Sequence, residues 1–116
     1  ASALLTDLAQ RGMLDETLVV INAEFGRTPK INENQGRDHW PFVYSLALAG
    51  AGIQGGAVYG KSDKSAAYPT ENPRDPADMA ATIYHLLAIQ SDTRIYDNRQ
   101  RPHSLVIGSP IEELLA

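Results

Sequence analysis

Cysteine is absent from the 116 residues, which excludes disulfides, thiol catalysis and Cys-ligated zinc and leaves the redox compartment open. Long hydrophobic runs are missing as well. No apolar stretch approaches the roughly 20 residues that a membrane-spanning helix needs, and no charged-then-apolar leader opens the chain. Nor is there a surplus of positive charge: 10 Lys and Arg stand against 14 Asp and Glu, a formal net charge of -4. With the signs mixed, no basic stripe of the kind a nucleic-acid surface requires is present. Charged tails, internal repeats and low-complexity tracts are also lacking. What is there is ordinary globular material, 43% hydrophobic, of a length that suits about one small domain.

The most informative stretch is Asn22-Ala-Glu-Phe-Gly-Arg-Thr-Pro, followed after a short polar loop by Gly36-Arg-Asp-His-Trp-Pro. The apolar run over residues 17–23 precedes the first cluster and predicts a strand covered on both faces. A second strand is predicted over 43–49, closed by the glycine-rich Gly50-Ala-Gly-Ile-Gln-Gly-Gly, and a short third over 57–60. Both polar clusters then hang from strand ends, where α/β folds keep their chemistry. Residues 24–41 and 61–76 are expected to be polar loops.

Helices frame these strands. Leu4, Leu5, Leu8 and Ala9 give an amphipathic pattern that Gly12 stops. A second helix starts at Asp75-Pro76 and carries the apolar stripe Met79, Ile83, Leu86 and Leu87. Residues 94–96 and 104–107 flank a polar segment as a hairpin, and Pro110-Ile-Glu-Glu-Leu-Leu-Ala reads as a terminal helix with acids at its positive end. The uncapped start and this natural finish are the ends expected of the C-terminal segment of a longer protein. The order of elements predicts an α/β or α+β fold.

Chemistry concentrates between positions 24 and 40. His39 with Asp38, across a loop from Glu24, supplies one imidazole and two carboxylates, donors acceptable to zinc, manganese or iron. The alternative is structural: Asp38 caps the turn and His39 bonds a backbone carbonyl. Arg27 and Arg37 offer planar forks that fit phosphate, sulfate or carboxylate, or else stiffen the loops. Trp40 either walls the site, stacking on a sugar, or anchors the loop. His85 is expected to bind nothing, His103 is expected to be a turn residue unless a partner not visible in the sequence makes it a ligand, and Thr28 and Ser45 lack an adjacent base, so both are expected to serve as hydrogen-bonding groups.

Glu24-Phe-Gly-Arg-Thr-Pro, Gly36-Arg-Asp-His-Trp-Pro, Ala49-Gly-Ala-Gly-Ile-Gln-Gly-Gly, Asp78-Met-Ala-Ala-Thr-Ile-Tyr-His-Leu-Leu and Arg101-Pro-His-Ser-Leu-Val-Ile-Gly-Ser-Pro-Ile, linked in one order through nearly the whole chain, resemble the C-terminal portion of the bacterial family called domain of unknown function 1501. That family in turn resembles the alkaline phosphatase and sulfatase superfamily. The resemblance implies an α/β fold, the C-terminal part of a three-layer sandwich with a mixed sheet and flanking helices. It implies Glu24 and His39 as ligands of a divalent metal such as zinc, manganese or calcium, Asp38 and Arg37 as catalytic groups, and Arg27, Arg37 and Trp40 on the substrate. Phe25 stands where the superfamily carries an imidazole, and the superfamily's nucleophile lies on a strand upstream of the matching region. Family relatives resemble exported proteins with twin-arginine leaders, so a periplasmic or secreted location is expected.

Three functions follow as expectations. The first is metal-assisted hydrolysis of sulfate or phosphate esters by the longer protein. The second is a non-catalytic module binding an anionic small molecule, glycan or protein partner. The third is a structural segment whose sheet edge pairs with the missing N-terminal part or with another copy. None involves nucleic acid or a membrane span.

Overall fold

The computed structural model describes residues 1–116. These form two compact units, residues 1–73 and 74–116, built from two α-helices and eight short strands, a mixed α/β content.

In the first unit α1 spans Ser2–Gln10, a segment free of Gly and Pro that buries Leu8. It stops where Gly12 enters the left-handed region at φ 68°. There Gly12 N–H donates to Ala9 O (3.1 Å) and Met13 N–H to Leu8 O (2.9 Å), the paired bonds that satisfy a helix's last carbonyls. A single 3₁₀ turn at Leu14–Glu16 leads into β1 (Val19–Ile21), which pairs antiparallel with β4 (Ala47–Ala49). Between them the chain folds out as the hairpin β2 (Gly26–Arg27) and β3 (His39–Trp40). A further hairpin, β5 (Lys61–Ser62) with β6 (Pro69–Glu71), follows.

The second unit contains α2 (Pro76–Leu86) and the hairpin β7 (Arg94–Tyr96) with β8 (Pro102–Ser104). The start of α2 is legible in sequence: Pro76 occupies the first turn, where its missing N–H costs nothing. Asp78 reaches back to accept the Asp75 amide (3.3 Å), the return half of a capping box. Asp78 also accepts Ser109 N–H (2.9 Å). Thr82, fully buried, donates to Asp78 O (2.7 Å) and accepts Ile111 N–H (2.9 Å). The tail is thereby laid along the helix, with Ala81 and Ile111 buried.

Several expectations are corrected. The strand over 17–23 shortens to Val19–Ile21 and is not covered on both faces, since Val20 and Ile21 are exposed. The strand over 43–49 shortens to Ala47–Ala49, and 57–60 forms none. The eight strands pair as four separate antiparallel two-stranded sheets. The polar loops 24–41 and 61–76 hold two of these hairpins. The buried line of α2 runs through Ala81 and Thr82, while Leu87 is exposed. The terminal helix is one 3₁₀ turn, Glu112–Leu114.

All three local hairpins are closed by the same loop, and none uses glycine at the position where the backbone turns left-handed. Asn32, Asp63 and Asp97 open them. In each, the side-chain Oδ1 accepts the amides two and four residues on: Asn34 and Gly36, Ser65 and Ala67, Arg99 and Arg101. The third residue on, Gln35, Ala66 or Gln100, has φ near 60° (58°, 57° and 60°) and donates to the opening residue's own carbonyl. An Asx side chain thus supplies the turn's hydrogen bonds.

Two of the loop carboxylates, and Asp78 of α2, are shifted toward the charged form. Asp97 is held below the usual carboxylate range chiefly by the Arg101 amide, with the Arg101 side chain and His103 adding to it. Asp63 is lowered chiefly by the Ala67 amide, and Asp78 chiefly by the Ser109 and Asp75 amides. Because the folded pKa lies below the unfolded value of about 3.9, the stability these groups contribute is complete above that pH. It is lost as pH falls through the folded values. Circular dichroism should therefore show helix and turn signals level from neutral pH down to about 4, with loss below. Asp78→Asn should remove part of that acid limb, and an unchanged limb would show that Asp78 does not contribute.

Candidate functional site

The polar clusters at 24–40 meet on the β2–β3 hairpin because the Asn32 loop brings the two arms into register. Gly26 faces Trp40 and Arg27 faces His39. Glycine is needed at 26 since a Cβ there would fall 2.1 Å from Val43 O. Side chains alternate across a strand, so Phe25, Arg27 and His39 share one face and Trp40 takes the other.

On the first face the three groups form a column. The Phe25 and His39 rings stack with centroids 3.7 Å apart and planes at 25°, and the Arg27 guanidinium carbon lies 5.5 Å from the Phe25 ring centre, within cation–π range. Arg27 Nη1 donates to Arg37 O (3.1 Å). Arg27 and His39 are both exposed. Phe25 serves as the plate against which the His39 imidazole stacks.

The second arm is tied by its own groups. Arg37 Nη1 donates to Thr28 O (2.7 Å) and Pro29 O (2.5 Å), which makes it a strut across the hairpin. Asp38 accepts Asn32 Nδ2 at 2.9 Å and is among the residues lining an open depression of about 580 Å³, with Thr28, Lys30, Asn32 and Glu33. Thr28 Oγ1 accepts Asp38 N–H (3.1 Å) and donates to Lys30 O (2.9 Å), the hydrogen-bonding role its lack of a base predicts. Asp38 and His39 therefore diverge, one onto Asn32 and the other onto Phe25. Glu24 is exposed and joins none of these contacts. No three His, Asp or Glu side chains converge on a common point.

Trp40 acts as the anchor. Its Nε1 donates to Ala67 O (2.6 Å), stapling the first hairpin to the Asp63 loop. Phe42 and Tyr68 pack edge-on at 4.8 and 5.6 Å, the preferred offset geometry of aromatic pairs.

Sequence reasoning missed Phe25 and Asn32. The signal for Phe25 is its two-residue spacing from Arg27, which puts both on one face once 26–27 is known to be a strand. The signal for Asn32 is an Asx residue four positions before Gly36.

Fold and site together define a mixed α/β protein that displays an aromatic-backed hairpin with Arg27 and His39 on one face. The sequence profile of the family described as Protein of unknown function (DUF1501) matches residues 1–115, and the chain belongs to that family. No curated protein and no solved structure matches it.

Proposed function

We propose that the chain binds sulfate or phosphate esters through Arg27 and His39, as one part of a sulfatase- or phosphatase-like ester hydrolase that has the three-layer sandwich of the alkaline phosphatase superfamily. The carrying observation is the register that makes Arg27 and His39 direct cross-strand partners on the face backed by Phe25. Directly opposed residues have Cβ atoms about 5 Å apart, so a guanidinium fork and an imidazole can both reach one tetrahedral anion. Anchoring of Arg27 by the Arg37 carbonyl and of His39 by the phenyl ring lowers the ordering cost of binding.

Within this reading Arg37 acts by holding the hairpin, and Trp40 by stapling it. Glu24 and His39 offer two donors, so a catalytic zinc, which keeps three protein ligands, would need a further one from the rest of the hydrolase. Asp38 turns away from the column and receives no proton-transfer role. The chain is thus expected to bind without turning substrate over. The resemblance to exported relatives supports a periplasmic or secreted site of action. A non-catalytic module for an anionic glycan is the second reading, favoured by Phe25 in place of an imidazole. Restored hydrolysis in the longer protein would remove it.

Titration of the chain with inorganic sulfate and phosphate, following the His39 ring protons by NMR, tests the binding. A saturable shift is expected, weakened roughly tenfold in Arg27→Gln, the loss of one charge-assisted hydrogen bond. An Arg27→Gln titration indistinguishable from the parent would overturn the proposal.

A further inference from the structure

The shared loop shows what the turn itself needs, and one of its copies carries more. In all three loops a single oxygen, Oδ1, meets the backbone amides. The other atom of the head group is surplus to the turn, and Asn32 shows that an amide closes it equally well. At Asp97 this surplus oxygen is used: Oδ2 accepts Arg101 Nε at 2.7 Å and lies 3.3 Å from His103 Nε2. The Asp63 loop has Ala67 and Pro69 at the corresponding places, and the side chain bonded to its carboxylate is the Ser65 hydroxyl, on Oδ1 (3.0 Å). Asn32 gives its second atom to one neighbour, Asp38 (2.9 Å), whereas Asp97 gathers a guanidinium and an imidazole at once.

Both gathered side chains keep their outer atoms for something else. Arg101 engages Asp97 through Nε, which leaves its two terminal nitrogens, a bidentate fork for oxyanions. His103 engages through Nε2, which leaves Nδ1, a second donor when the ring is imidazolium. Their side chains are 65% and 53% exposed. The Asp97 carboxylate and the Arg101 guanidinium balance, and the exposed Arg99 of the same loop adds a positive charge to the field.

We infer that Asp97, Arg101 and His103 form an oxyanion site on the β7–β8 hairpin, with Arg101 and His103 gripping a sulfate, phosphate or carboxylate group and Asp97 positioning both. The site lies in the unit of residues 74–116 and does not depend on the Arg27 column. Preorganisation is its advantage: two side chains held by one carboxylate lose less freedom when the anion arrives.

The test uses the whole chain in mildly acidic buffer, with the His103 ring protons followed by NMR during titrations with inorganic sulfate, inorganic phosphate and acetate. A saturable shift with sulfate or phosphate identifies a tetrahedral anion as the ligand, and one with acetate alone identifies a carboxylate. Arg101→Gln should weaken the response roughly tenfold. Asp97→Asn is the decisive variant, because it keeps the loop acceptor that Asn32 provides in its own copy and removes a negative charge. Simple screening predicts tighter anion binding in that variant, whereas a positioning carboxylate predicts binding weakened at least about threefold. Tighter or unchanged binding in Asp97→Asn, or no saturable His103 shift with any of the three anions, overturns the proposal. Arg27→Gln should leave the His103 response unaltered, which keeps the two sites' outcomes separate.

Discussion

Gly108→Ala is expected to destabilise the second unit by about 3 kcal/mol, the sum of a small-to-large overlap and weakened polar links. A Cβ at 108 would lie 2.3 Å from the Ala77 carbonyl carbon, 2.4 Å from its oxygen and 2.5 Å from the Asp78 nitrogen. All three are backbone atoms of the first turn of α2, so no side chain can swing aside. The segment must lift. Lifting it pulls Ser109 N–H away from Asp78 and Ile111 N–H away from Thr82, and it uncovers Ile111 and Ala81, which are 2% and 1% exposed. Thr82 Oγ1 then loses one of its partners in a buried setting, where an unmet polar group costs most. Gly55→Ala is the control, since a Cβ there meets nothing within 4 Å, and a surface change of that kind should stay within about 0.5 kcal/mol. Urea unfolding read at α2 decides the matter: equal midpoints for the two variants would mean that the tail is not seated on the helix as described.

What the sequence discloses and what it hides divide along the same physical line, between signals local to an element and those that arise only on pairing. The start of α2 is legible because Asp75, Pro76 and Asp78 act within one turn, and Gly12 ends α1 for a reason that requires no neighbour. The apolar run 17–23 misleads because composition reports affinity for a sheet, whereas coverage depends on what pairs with it. Only Val19–Ile21 find partners, on β4 alone. The three Asx loops escape notice since the left-handed positions hold Gln35, Ala66 and Gln100, and glycine is the residue that normally marks such turns. The site follows the same rule. Thr28 behaves as its surroundings in sequence foretell, but the stacking of His39 on Phe25 requires the β2–β3 register. His103, a turn residue without a visible partner in sequence, gains Asp97 once the hairpin closes.

In the first unit the corresponding weak point is Gly50, and Gly50→Ala is expected to cost about 3 kcal/mol from two independent sources. Its backbone is left-handed at φ 79°, a conformation that charges any residue with a Cβ about 1–2 kcal/mol. A Cβ would also fall 2.2 Å from Thr17 O and 2.4 Å from Leu14 O. Those carbonyls lie in and just after the 3₁₀ turn that feeds β1, and Leu14 O already accepts Ala51 N–H (3.1 Å). Relief of the overlap must therefore separate the chain leaving β4 from the chain entering β1, the only two strands in their sheet. Gly12 isolates the conformational share: its φ is 68°, yet a Cβ there meets nothing within 4 Å, so Gly12→Ala should cost about 1 kcal/mol. Because Leu8 is the sole buried side chain of residues 1–73, little reserve exists to absorb the larger figure, and domains generally hold only about 5–15 kcal/mol. Loss of the β1–β4 ladder would release the hairpin inserted between those strands and with it the alignment of Arg27 and His39. The Gly50→Ala chain should accordingly lose both its unfolding transition at low urea and the saturable response of His39 to sulfate. A Gly50→Ala chain as stable as Gly12→Ala would show that contact of the β4 exit with the Leu14 turn does not hold this unit together.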